Sequence, residues 1–92
     1  MTELITTAVE RARRDLAARL KVSENDISEE SVERAEFPDA ALGAHVDDEM
    51  SAQMISNGHR IKLKHNNRVY EYRASGTTLR LVDFNGENYR VK

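Results

Sequence analysis

The sequence predicts an α+β domain, with one N-terminal helix packed on one face of an antiparallel β-meander. Three observations predict it. Apolar residues recur at helical spacing between Ile5 and Leu20. The asparagine-bearing dipeptides Asn57-Gly58, Asn66-Asn67 and Asn85-Gly86 punctuate the second half at hairpin intervals, and Asn and Gly are the residues that best tolerate the positive φ of tight hairpin turns. Around the second of them apolar residues alternate with charged ones, the period of a strand with one buried face.

Glu3 to Leu20 reads as the helix. Ile5, Val9, Ala12, Leu16 and Leu20 form one stripe, widened by Leu4 and Ala8, while Arg11, Arg14, Asp15 and Arg19 fall mainly elsewhere on the cylinder. Thr2 suits the N-cap, and Arg19 and Lys21 suit the negative end of the dipole. Lys21 to Asp26 is a connector in which Ser23 and Asn25 can cap or turn. In Ile27 to Phe37, Ile27, Ala35 and Phe37 share one parity and Val32 has the other. A strand with a bulge near Val32 reconciles them; the run of glutamates leaves a short helix as the alternative. Pro38 ends the element, and Pro38 to Glu49 forms a loop from which Leu42 and Val46 can tuck back onto the core.

Met50 to Ala74 is the central stretch. Turns at Asn57-Gly58 and Asn66-Asn67 divide it into strands Met50–Ser56, His59–His65 and Arg68–Ala74. Counting outward sets Met54 opposite Ile61 and Ala52 opposite Leu63, then Leu63 opposite Tyr70 and Ile61 opposite Tyr72, all on one apolar face. The other face carries Gln53, Arg60, Lys62, Lys64, Val69, Glu71 and Arg73, with Lys62 opposite Glu71, as in a sheet covered on one side only. Ser75-Gly76-Thr77 turns the chain into a last hairpin, Leu79–Phe84 and Glu87–Lys92, with Val82 opposite Tyr89 and Leu81 opposite Arg90.

The 92 residues make one domain, residues 1–92, able to bury roughly 60–65% of the unfolded surface. Cysteine is absent, which excludes disulfides and thiolate metal sites and fits a reducing, cytoplasmic setting. No segment has the length and apolarity of a signal or a membrane span. Net charge is −2 but unevenly spread: +2 over residues 1–22, −9 over 23–50 and +5 over 51–92. Internal complementarity between an acidic middle and a basic sheet is the plain account; two electrostatic poles that steer partners is the sharper one.

Few chemistry-bearing constellations stand out. His45, Asp47, Asp48 and Glu49 could surround a cation, but their spacing matches neither the calcium-loop nor the two-histidine zinc pattern, and a solvated acidic loop explains them. His59 and His65 read as strand-end residues. Arg60, Lys62, Lys64 and Arg73 form a basic patch, yet Tyr70 and Tyr72 point to the opposite face, away from where stacking on bases would need them. There is no nucleophile elbow, phosphate-binding glycine loop or acid–base pair, so the chain reads as non-catalytic and without cofactor or metal.

Three pieces follow one another in fixed order. Asp15-Leu16-Ala17-Ala18-Arg19-Leu20-Lys21-Val22 closes the helix. Phe37-Pro38-Asp39-Ala40-Ala41-Leu42-Gly43 opens the loop. Gln53 and Gly58-His59-Arg60-Ile61-Lys62-Leu63 then precede Tyr70-Glu71-Tyr72. This resembles a family of small uncharacterised prokaryotic domains with an aromatic-Pro-Asp-x-x-Leu-Gly loop and a hairpin ending in Tyr-x-Tyr, over most of residues 10–74. Members tend to carry cysteine and proline where Ala44 and His45 stand, an aromatic at His59 and tryptophan at Phe37, so the loop stapling those cysteines imply is missing here. The resemblance implies no activity. Element order alone is similar to PepSY domains, which occur beside peptidases.

The expected function is a small binding or regulatory module that meets a protein, a peptidase being one form, through loop 38–49 and the uncovered sheet face. Its candidate contact residues are Asp39, Leu42, His45, Asp47, Asp48, Arg60, Lys62, Lys64 and Arg73. The alternative is a nucleic-acid binder on the basic face. No membrane contact is expected, and the chain should be a monomer or a weak homodimer through its edge strands.

Overall fold

The computed structural model describes residues 2–46 and 53–91. Helix α1 (Thr2–Leu20) is followed by a 3₁₀ turn (Glu24–Asp26) and five strands: β1 (Ser28–Phe37), β2 (Ser56–His65), β3 (Arg68–Ser75), β4 (Thr78–Phe84) and β5 (Glu87–Arg90). The strands form one antiparallel sheet in chain order, a five-stranded meander, with α1 against one face. The fold class is the one the sequence predicts.

The helical stripe does what its spacing requires. Val9, Ala12 and Leu16 are buried with Ala8 and Ala17, and Ile5 and Leu20 pack at the margins. They meet Ile61, Leu63, Tyr72, Ala74, Leu79 and Leu81, the helix-facing residues of β2, β3 and β4. The helix begins at Thr2, so the capping position falls on Met1, outside the described residues. At the other end Lys21 takes a φ of 59° and the Val22 N–H donates to Ala17 O at 3.0 Å, closing the helix with a left-handed residue. Ser23 then caps the 3₁₀ turn, its Oγ accepting the Asn25 N–H. Two polar ties fix the helix to the sheet. Arg11 donates to Thr77 O and Val91 O. Asp15 accepts from the Tyr72 hydroxyl at 2.8 Å and from Arg19 Nε at 2.7 Å, and burial together with that carboxylate pushes the Tyr72 hydroxyl far above its ordinary range.

The second expected turn forms as predicted. Asn66 and Asn67 have φ of 49° and 65°, and β2 pairs β3 with Leu63 opposite Tyr70, Lys62 opposite Glu71 and Ile61 opposite Tyr72. The first does not form. Asn57 and Gly58 lie inside β2, opposite Glu36 and Ala35 of β1, and neither has positive φ. The neighbour of β2 is therefore β1: Ile61 faces Val32, not Met54, and Leu63 faces Glu29, not Ala52. Gln53 to Ile55 form no strand, and 50–52 lie outside the described residues. Local turn propensity yields to a ten-residue strand that pairs with β2 from Ser56 to Lys64. The glycine answers a different need: a Cβ on Gly58 would sit 1.9 Å from Ala74 O, a close backbone approach.

β1 is the bulged strand the parity clash suggests, but its register shifts between Glu29 and Ser31, ahead of Val32. The last hairpin turns at Asn85-Gly86, both at positive φ. Its register differs from expectation: Leu81, not Val82, lies opposite Tyr89, and Arg80, not Leu81, opposite Arg90. A bulge between Leu81 and Phe84 explains the slip, with Asp83 at a φ of 53° and its N–H donating to Asn88 Oδ1. β1 and β5 are the two edges, and on β1 Glu29, Glu30, Glu33 and Glu36 are all exposed.

Candidate functional site

The sheet face away from the helix is not left open. Phe37, the last residue of β1, points to it and is 2% exposed. Pro38, which lacks an N–H, releases the chain from the ladder, and the next residues cross this face. Ala41, Leu42 and Ala44 are all buried, and so is Arg80 of β4, 7% exposed beneath them. The expectation of a sheet covered on one side only is corrected: Arg73 lies under a loop.

Asp39 organises that loop. Its Oδ1 accepts the N–H groups of Ala41 and Gly43, each at 3.0 Å, and its carbonyl accepts from Leu42 N at 3.1 Å and Ser56 Oγ at 3.1 Å. Its Oδ2 lies 2.9 Å from His45 Nε2. The Gly43 N–H, aided by His45, holds the Asp39 carboxyl below its ordinary value against the opposing effect of lost solvation. Ala44 N–H donates to Ala41 O, and the residues between, Leu42 and Gly43, have φ of 60° and 70°. Glycine is favoured at 43, since its φ is left-handed and a Cβ there would meet Arg73 Nη1 at 2.9 Å. For Leu42 the left-handed conformation costs about 1 kcal/mol. It persists because burial of the side chain and hydrogen bonds at both its N–H and its carbonyl over-determine it.

Arg73 joins loop to sheet. Nη1 donates to Leu42 O at 2.9 Å, Nε to Glu71 Oε2 at 2.7 Å, and the guanidinium lies 5.6 Å from the Phe37 ring centre. Glu71 Oε2 also accepts from Arg60 Nε at 3.2 Å. On the far side Asn88 Nδ2 donates to His45 O at 2.9 Å, so the loop is tied to β2, β3 and β5. Pro38, Ala40, Gly43 and His45 remain exposed along its outer surface.

The structure thus brings Asp39, Leu42, His45 and Arg73 into one unit, with Arg60 attached through Glu71. Leu42 is an internal prop of this unit rather than a contact residue, being 1% exposed. Lys62 and Lys64 stand further along β2; Lys64 lies 3.9 Å from Glu30, and Lys62 has no ion pair among the described residues. Asp47 and Asp48 lie outside the described residues. Three of the four cations once grouped as a basic patch therefore have carboxylate neighbours, which would compete with phosphate. Among the described residues no three His, Asp or Glu side chains converge as metal ligands, and no helix is long and apolar enough to cross a membrane.

Sequence reasoning missed Met54 and Ile55. The sequence places both in a strand Met50–Ser56, Met54 on its apolar face; they are 58% and 67% exposed in the segment entering β2, next to Ser56, which binds the loop at Asp39. Asn88 was also missed, and a lone asparagine in a short strand gives no signal of its role.

A model of a domain of unknown function, DUF8738, matches residues 9–82, from the middle of α1 into β4. No curated protein and no solved structure matches the chain.

Proposed function

The chain belongs to the DUF8738 family, a domain of unknown function, and from that premise we propose that it is a non-catalytic binding module that takes a protein partner on the loop face of its sheet. One observation carries the reading: two large apolar side chains, Met54 and Ile55, stand more than half exposed in the segment that enters β2 at Ser56, whose hydroxyl donates to Asp39 O of a loop fixed by Asp39 and Arg73. Protein interfaces are built around a few apolar anchors set in a polar rim, and a surface already rigid gives up little entropy on binding. Here the anchors are Met54 and Ile55, and the rim is His45, Arg60, Lys62 and Lys64. Lys62, which has no ion pair among the described residues, favours a partner with an acidic surface and speeds its approach. A peptidase is one partner of this kind, which the PepSY-like element order supports at the level of fold alone.

The test is capture of binding proteins with the wild-type chain and with Met54→Ser/Ile55→Ser. The wild type should retain a partner, and the double variant should lose it by at least about tenfold while its unfolding curve moves by less than about 0.5 kcal/mol. The same partner held equally by both chains, or recovery of nucleic acid alone in a salt-dependent manner, would overturn the proposal.

A further inference from the structure

On the helix side, at the end of the sheet where β1, β2 and the β3–β4 turn come together, lies a cleft of about 290 Å³. Its origin is local. Gly58 cannot carry a side chain because Ala74 O occupies the space, Gly76 occupies the β3–β4 turn, and Ala8 and Ala74 are the small residues of the adjoining core. Four aliphatic side chains, Ile5, Ala8, Ile61 and Ala74, form the apolar floor. Arg34, Asn57 and His59 stand at the mouth. Among the described residues none of these three side chains has a hydrogen-bond or ion-pair partner. By contrast Arg11, Arg19, Arg60 and Arg73 all have partners. An apolar recess with a few convergent, unspent polar groups is the usual form of a small-molecule site.

We propose that this cleft binds small aliphatic carboxylates, the carboxylate at Arg34 and His59 and the chain along Ile5, Ala8, Ile61 and Ala74. The planar guanidinium of Arg34 offers paired N–H donors that match a carboxylate, and the Asn57 amide and the His59 ring add N–H donors beside it. Size limits the tail. At about 30 Å³ per non-hydrogen atom the cleft holds about ten, the count in octanoate. Glu36 lines an adjoining recess shared with Arg34 and His59. It opposes a second negative charge on the ligand, so monoanions are selected over dianions. None of the residues named in the protein-binding proposal lines this cleft, which stands apart from it.

The experiment is an amide-resolved NMR titration of the full chain with octanoate, octanol and octylamine below their micellar concentrations. Octanoate should give saturable shifts confined to Ile5, Ala8, Gly58, His59, Ala74 and Gly76, with affinity in the millimolar range or tighter. Octanol should bind at least about tenfold more weakly, and Arg34→Gln, an exposed position, should remove that difference without changing the spectrum elsewhere. Absence of saturable shifts at the cleft, equal binding of octanol or octylamine, or unaltered octanoate affinity in Arg34→Gln would each overturn the assignment.

Discussion

The two faces of this sheet exclude water by different means. Under α1, aliphatic side chains from three strands meet an aliphatic helix stripe, and the polar ties sit at the rim. Under the 38–46 loop the covering layer is backbone, held by directional bonds to Asp39, Arg73, Ser56 and Asn88, with Phe37, Ala41, Leu42 and Ala44 as buried apolar filling. The first kind of contact is non-directional and scales with area. The second is weak in net energy but exact in geometry. The helix face should therefore govern whether the chain folds, and the loop face what shape it presents.

The largest effect should come from the helix face. Ile61→Ala, at a position with no exposure, should cost about 2–5 kcal/mol, a large share of the stability of a domain this small. Urea unfolding should show a lower midpoint with every region lost together. Arg73→Met should cost about 1–2 kcal/mol, and it should act differently. Amide exchange should quicken at Ala41, Leu42, Gly43 and Ala44 while the α1 and β2 amides keep their protection. Uniform loss of protection would show that the two faces form a single cooperative unit. The smallest effect should be that of acid. The folded-state pKa of Asp39 is depressed below its ordinary value of 3.8, so its contribution is fully present above that value and is lost as pH falls through the lower, folded one. The Gly43 amide resonance should report no loosening of the Asp39–Gly43 bond between pH 7 and pH 5 and should move only below about pH 4. Melting of the loop at pH 5 would place its hold elsewhere than on this carboxylate.

Helix α1, the Asn66-Asn67 and Asn85-Gly86 turns and the β2–β3 register were legible because each depends on contacts close in sequence. Asn57-Gly58 carries the same dipeptide signal as Asn85-Gly86 and forms no turn, because its fate depends on β1, some twenty residues earlier. The parity clash in β1 held more than a bulge. Val32 faces the helix, against Ile61, while Phe37 faces the loop, against Arg73. Apolar residues of opposite parity on one strand are what a sheet covered on both sides requires. Asp39 and His45 were picked out by residue type, but their mutual bond, and the bond from Asn88, join positions whose proximity only the folded loop creates.

The four glutamates along β1 have a consequence for life in a crowded solution. A bare sheet margin invites another molecule to continue the ladder. Here two chains meeting margin to margin at β1 would press like signs together for most of its length, and at the opposite margin β5 offers only four residues to grip. Both margins of the meander thus discourage continuation of the ladder, β1 by charge and β5 by its shortness.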